Sequence, residues 1–454
     1  MFVSASVAIP FFLTGFPDVY NAISPDSQFF TIFFLIALAL ACLAPLIYQA
    51  VIYGRALDFF APSIVIPLLY FSVFGLGSLN LVLNHDQRTL KVIFFSFSGI
   101  MFYYLGITVL NLAFFALKSR RPYRKVNWDP FLIKFLIGSL VVVSVLATGY
   151  LFYKGGVLLL QKNIEAKRVA EEHRVSNITL FLMRLITPAF LFYLADSLSR
   201  GKINKKVFFS FLLFSMFILL NTVNRHDLST FLISSFLIYH FARGKIRFTK
   251  IIPLLLIGLV FLMSMGYYRL ASMTGMTTEK AFLFKEAGGN PFLMFLIYIV
   301  FQFTVYPGNL AIYFDTFPRI LPFEHGYSFV RAMRTALPGH HQLFDEYVKS
   351  VLHLQFLGGG INPTILGELY ANFGYSGIMG MAVYGGIIAF LYYEMISQRT
   401  AISVTIYSYG VSALLLGIIG GFFSFSLPFY FIFVFTAVHF IARKSMKIYR
   451  SSFN

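Results

Sequence analysis

Residues 357–394, LGGGINPTILGELYANFGYSGIMGMAVYGGIIAFLYYE, join a glycine-rich break, a short polar stretch and a small-residue apolar run. Gly358 to Gly360 and Asn362-Pro363 interrupt regular structure. Thr364, Glu368, Tyr370 and Asn372 follow, and the chain then passes Gly374 and Gly377 into an apolar segment of membrane-spanning length. A carboxylate, a phenol and an amide at the mouth of such a helix read as a polar site, because polar groups at bilayer depth are costly and usually functional. The same residues also fit a plain glycine-rich helix start with a snorkelling glutamate.

The rest of the chain is of the same kind. Of 454 residues, 58% are hydrophobic, 19% aromatic and only 12% charged, whereas soluble domains carry about 25% charged residues. Apolar stretches of spanning length recur from end to end, so the expected fold is all-α: a polytopic transmembrane helical bundle of roughly 11 to 13 spans. Residues 1–454 form one integral membrane domain, because no polar stretch reaches the size of a separate one. The single cysteine, Cys42, excludes internal disulfides and thiolate metal clusters. A net charge of +18 in such a chain points to membrane orientation and anionic head groups, and not to nucleic acid. The first basic residue is Arg55, so no cleavable leader is expected.

Candidate spans are 28–50, 62–83, 92–116, 131–153, 178–198, 206–223, 227–242, 251–268, 292–314, 374–394, 402–420 and 423–441. Basic clusters at 118–125, 200–206, 243–250 and 443–450 mark cytoplasmic loops and a cytoplasmic C-terminus. Counted forward from the first of these, 315–362 falls inside; counted back from the tail, it falls outside. An odd number of segments must therefore be re-entrant or lie along the membrane, and the suspects are 227–242, which is short, and 292–314, which carries Gln302, Pro307 and Asn309. The backward count is preferred, which makes 154–177 and 315–362 the two larger external loops.

Five polar features stand out. In 154–177, Lys162, Lys167, Arg168 and Arg174 alternate with apolar residues, as in an amphipathic helix on the outer membrane face. It serves either as a basic shelf for a lipid phosphate or as an ion-paired surface helix. Arg184 lies inside an apolar run and needs a partner or a wet cavity. Asn224-Arg225-His226-Asp227 is a sharp polar turn in which Arg225 beside His226 suits a pyrophosphate, the guanidinium offering a planar fork. Read blandly, it is an interfacial turn with Asp227 capping the next helix. Arg269 ends a helix as a further phosphate contact or an anchor. Within 315–362, Glu324 and His325 place a carboxylate beside an imidazole, either able to take a proton, and Glu368 is a further candidate base. Arg331 and Arg334 are one helical turn apart and can face one anion. His341 and Asp345 have ligand spacing, but no further zinc ligands are evident, and no metal or cofactor is expected. Nucleotide-binding and hydrolase motifs are missing.

The ordered set NRHDLSTFLISSFL (224–237), FQFTVYPGNLAIYF (301–314), Gly326-Tyr327 and the 361–393 stretch resembles the bacterial oligosaccharide repeat-unit polymerases, the Wzy-type O-antigen polymerases. The resemblance covers most of 176–395 and implies a GT-C-like membrane glycosyltransferase without a nucleotide sugar. Two undecaprenyl-pyrophosphate-linked glycans would meet at the periplasmic face of the inner membrane, and the growing chain would pass to the incoming unit. It implies pyrophosphate contacts from Arg225, His226, Arg269, Arg331 and Arg334, a second lipid phosphate near Arg168 and Arg174, a base among Glu324, His325 and Glu368, and sugar contacts from Tyr327, Tyr370, Asn362 and Asn372. Membrane lipids and a chain-length regulator are the further partners implied. The chain departs from the family in showing no clean pair of repeated arginine motifs, which leaves donor and acceptor sides open. The alternatives are an O-antigen ligase and a lipid-linked oligosaccharide flippase; clustering of polar residues at one face disfavours the flippase.

Overall fold

The computed structural model describes residues 28–53, 58–84, 86–115, 128–157, 161, 177–201, 203–222, 224–243, 248–271, 284–334, 342–354, 360–398, 400–421 and 427–452. Among them there is no strand. The helices are α1 (Gln28–Tyr53), α2 (Pro62–Tyr70, continued by a π turn at Phe71–Leu76), α3 (Leu79–Leu83), α4 (Thr89–Phe115), α5 (Pro130–Gly155), α6 (Asn177–Arg184), α7 (Ile186–Ser199), α8 (Lys205–Leu220) and α9 (Arg225–Arg243). They continue with α10 (Phe248–Ala271), α11 (Pro291–Thr316), α12 (Tyr327–Arg334), α13 (Phe344–Val351), α14 (Thr364–Phe373), α15 (Gly380–Gln398), α16 (Ala401–Gly420) and α17 (Leu427–Ser452). Their starts carry ordinary sequence signals. Asp129 accepts from Phe131 N at 2.8 Å ahead of Pro130, Asn290 accepts from Phe292 N at 3.0 Å ahead of Pro291, and Asn204 caps α8.

Eight described helical segments are long and apolar enough to cross a membrane, so the protein is a multi-pass helical membrane protein. Twelve candidate spans were expected from hydropathy. The difference lies in α8, of 16 residues, α9, whose first turn carries Arg225, His226 and Asp227, and the apolar stretches 256–268 and 430–442, which are shorter.

The bundle has two distinct ends. Phe95 of α4 packs on Tyr375 and Tyr103 on Tyr384, so α4 and α15 run parallel. Near their C-termini, α9 and α15 meet at Asp58, which accepts from Tyr392 OH at 3.0 Å and stands 3.9 Å from His240 Nε2. Helix α16 runs back from that end, with Tyr407 OH donating to Phe60 O at 2.8 Å. Arg200, Lys205, Lys206 and Arg243, at the termini of α7, α8 and α9, belong to this basic end. The starts of α4 and α9 and the whole of α12 to α14 belong to the other, the loop end.

Packing through the middle relies on small residues, since lipid removes the hydrophobic drive that brings helices together in water. A Cβ on Gly106 would strike the carbonyl of Ala382, and one on Gly385 the carbonyl of Tyr103. These two glycines let the α4 and α15 backbones touch.

Helix α11, one of the two suspect segments, keeps close to the loop end. It is long and apolar enough to cross, yet its partners lie at the loop end along its length. Tyr267, near the end of α10, packs on Phe295 and Tyr298; Gly77 meets Phe303 O and Pro307. Asn309 Nδ2 donates to Asn362 O at 3.1 Å, and Asp315 takes Arg88 at 2.8 Å. Helix α11 is thus tied to the loop end at several points along its length. Of the two suspects, 292–314 is among the eight segments long and apolar enough to cross, and α9 runs the depth of the bundle, from Arg225 at the loop end to His240 beside Asp58.

Candidate functional site

The loop end is built on α14. Its residues from Thr364 to Asn372 are buried, and it starts with Thr364 in the left-handed region (φ 58), whose Oγ1 accepts from Gly367 N at 3.2 Å. Tyr313 OH donates to Ile361 O at 2.9 Å, tying the entry of α14 to α11. At its other end Gly374 (φ 61) turns the chain against Phe323, where a side chain would be strained.

Helix α14 holds the turn 324–328. Glu324 N donates to Ala371 O at 2.9 Å and His325 N to Asn372 O at 3.0 Å. The Asn372 side chain, fully buried, accepts from Gly326 N at 2.8 Å and donates to Ser328 Oγ and Glu368 O, each at 2.8 Å. Four hydrogen bonds thus fasten four residues of the turn to α14, and His325 is held at φ 49. This is a preorganised turn, with Glu324 half-buried and His325 exposed.

Beside it stands α12. Arg331 Nε lies 3.5 Å from Glu324 Oε2, and its guanidinium is sandwiched between Tyr347 of α13 (3.9 Å) and Tyr327 (4.9 Å). Arg334 Nη1 donates to Tyr327 OH at 2.6 Å. Two guanidiniums and a carboxylate therefore gather with aromatic backing next to the turn that carries His325, an arrangement suited to an anion beside a hydroxyl that must lose a proton.

Helix α13 is seated by Phe344 and Val348, both buried, and by Asp345, which lies against Gly360. Burial, with Glu346 adding to it, pushes the Asp345 carboxyl up to about 6, while the amides of Glu346, Asp345 and Gly360 partly offset the rise. A folded-state value above the ordinary 3.8 means that the fold binds this proton more tightly than the unfolded chain does. Stability from this group is therefore greatest in acid and declines as pH rises towards 6. Melting temperature in detergent should fall between pH 4.5 and 6.5, and Asp345→Asn should flatten that part of the profile; an unchanged slope in the variant would refute the assignment. Nearby, Asp86 is held below the usual carboxylate range by Arg88, which also reaches Asp315.

The turn 224–227 forms a second group at the same end. Asn224, and not Asp227, caps α9, accepting from His226 N at 2.9 Å. Asp227 pairs instead with Arg184, Nε to Oδ2 2.7 Å, so the intramembrane arginine finds its partner in the chain. His226, Thr187, Thr230, Tyr409 and Phe431 line a niche around that pair with room for roughly one water. Arg225 points the other way, donating to Tyr298 OH at 3.1 Å and Gln302 Oε1 at 2.7 Å. The two groups are linked: Tyr430 OH donates to Met333 O of α12 at 3.1 Å, and Phe181 packs on both Tyr430 and Phe431.

Comparison with family models, curated proteins and solved structures gives no match. Site assignment thus rests on geometry.

That geometry sorts the sequence-derived candidates. Glu324, Tyr327, Arg331 and Arg334 come together, and His325 is exposed on the same turn as Glu324. Asn362 is exposed at the mouth of α14. Glu368 is wholly buried, and Tyr370, 3% exposed, is enclosed by Phe95, Phe314, Phe323 and Tyr375. Neither presents its side chain at the surface, so stacking by Tyr370 on a sugar does not fit its place. Asn372 is likewise a fastening inside the protein. Arg168, Arg174 and His341, and the Arg269 side chain, lie outside the described residues. Sequence reading missed Tyr347, 16 residues from Arg331, and Lys91, whose Nζ sits 4.4 Å over Phe314 and 5.4 Å over Tyr370. Nothing local in the chain signals either contact.

Proposed function

We propose that this protein is a nucleotide-independent membrane glycosyltransferase of the Wzy type, polymerising undecaprenyl-pyrophosphate-linked oligosaccharide repeat units. The observation that carries this reading is the Glu324–His325 turn clamped beside Arg331 and Arg334 at the end of the bundle away from the basic loops. By the positive-inside rule the basic end is cytoplasmic, which puts this face on the periplasmic side of the inner membrane.

In the reaction, the acceptor hydroxyl of the incoming repeat unit forms a bond to the anomeric carbon of the growing chain. The bond from that carbon to pyrophosphate breaks, and undecaprenyl pyrophosphate leaves with the electron pair. Arg331 and Arg334 stabilise the charge that develops on it. His325, exposed on the strained turn, or Glu324 takes the hydroxyl proton. Tyr327 and Tyr347 hold the Arg331 fork in plane. The partners are the two lipid-linked glycans and, in the cell, a chain-length regulator.

The test is purified protein with an undecaprenyl-pyrophosphate-linked repeat unit, without nucleotide, read as a ladder on a gel. Arg331→Ala should slow laddering about 10²–10³-fold, and Glu324→Gln or His325→Ala, whichever is the base, about 10²–10⁴-fold. Transfer of glycan to lipid A core in place of a ladder would make the protein a ligase. No product with either acceptor would sink the reading.

A further inference from the structure

Helix α13 meets the Arg331 group through the Tyr347 ring, whose centroid lies 3.9 Å from the guanidinium carbon. With eight residues it is too short to persist unaided, so its place depends on its seat. One side of that seat is apolar. Phe344 packs against Tyr313 and Phe317, ring centroids 5.9 and 6.2 Å apart, and Val348 is fully buried. Another side is backbone: a Cβ on Gly360 would collide with the Asp345 carbonyl and Glu346 N, and Ile361 N donates to Asp345 O at 3.3 Å. The same seat takes the Asp345 carboxyl. The residue as a whole is half-buried, yet its Oδ1 is closed off from solvent and has no hydrogen-bond partner among the described residues.

The groups around this carboxyl disfavour its charged form. Glu346, on the same turn, is fixed by accepting from Leu343 N at 3.3 Å and opposes ionisation. From α11, the Tyr313 hydroxyl lies within electrostatic reach of both Asp345 and Glu368, the buried carboxyl of α14. The amides of Glu346, Asp345 and Gly360 favour the charge but do not outweigh burial. Lys349, one turn along α13, and Arg331, behind the Tyr347 ring, are not among the groups that act on the carboxyl. A neutral carboxyl can stay in such a seat; an ionised one needs water, and outward movement of α13 supplies it.

We propose that Asp345 is a positioning residue and a pH-sensitive latch: neutral, it lets α13 lie in its seat with Tyr347 against Arg331; ionised, it lifts α13 and takes that wall from the guanidinium. The direction is set by the proton. The seated form binds it more tightly than the lifted form, so seating is complete in acid and is lost as pH rises through about 6. The consequence for turnover rests on the function proposed above; the latch itself does not.

Hydrogen exchange of the full chain in detergent, corrected for the intrinsic effect of pH on amide exchange, reads the latch directly. Protection of 343–352 in the wild type should fall about tenfold between pH 5 and 7.5, while that of α14 stays level. In Asp345→Asn, which keeps the neutral form at every pH, protection of 343–352 should not change over this range. Val348→Ala removes apolar seating without a titrating group, so it should lower protection but leave the wild-type slope with pH. A flat wild-type profile, or one equally steep in Asp345→Asn, overturns the latch; the wild-type profile decides even where the asparagine variant fails to fold. The positioning role is read from the ratio of laddering rates, Asp345→Asn over wild type, in which titration of the catalytic base cancels. That ratio should rise about fivefold from pH 5 to 7.5, as expected for one cation–π contact. A seat that titrates while the ratio stays level overturns the positioning role. A seat that titrates with no ladder from either protein leaves the latch standing and rejects the polymerase; a ladder with a pH-blind seat does the reverse.

Discussion

Asp227→Asn should cost the fold about 3–5 kcal/mol, because it leaves the Arg184 charge without its counterion inside the bundle. The side chains are 17% and 7% exposed for Arg184 and Asp227, and their bond is 2.7 Å long. The niche around them holds roughly one water, too little to hydrate a bare guanidinium. Arg184→Met should be comparably damaging for the mirror reason. The double variant Arg184→Met with Asp227→Leu should recover most of the loss, since replacing both charges with apolar groups removes the desolvation penalty along with the attraction. Thermal melts of the three proteins in detergent give the cycle. Single variants as stable as the parent would show that water enters this part of the bundle freely.

The second large effect is expected at Asn372. Asn372→Leu removes the acceptor for Gly326 N and the donor to Ser328 Oγ and Glu368 O. Each buried group left unmet costs about 1–3 kcal/mol, and the turn carrying Glu324 and His325 loses its clamp. Laddering should drop at least 100-fold on the effective-molarity argument, in which a displacement of about 1 Å costs that much. The informative comparison is Asn372→Asp. It keeps an acceptor for Gly326 N but turns an oxygen towards Glu368 O, so it should be more stable than the leucine variant while remaining slow. Wild-type turnover in a folded Asn372→Leu protein would remove the turn from the mechanism and leave it a purely structural device. Asn372 would act here as a positioning residue, since it is buried beneath the turn and touches no substrate.

Much of the architecture was legible from one sequence. The low charge content and the recurring apolar runs demand a helical membrane bundle, because only intrasegment hydrogen bonding satisfies a backbone in lipid. Arg331 and Arg334 were paired by helical spacing, and Glu324 and His325 by adjacency. Less was legible about accessibility: Glu368 and Tyr370 lie in the stretch that drew attention first, yet both are enclosed, because α14 sits beneath the turn that it supports.

The chain by itself determines class, span material and the local groupings of charge, since each follows from composition or from residues within a turn of one another. Tertiary structure alone decides that Asp227 belongs to Arg184 rather than to its own helix start, that Tyr347 stacks on Arg331, and that α11 bonds to the loop end through Asn309 and Asp315. Hydropathy measures whether a segment tolerates lipid and says nothing of direction. Direction comes from what the segment bonds at each end, and for α11 those partners are Tyr267 and Arg88, more than 170 residues apart in the chain.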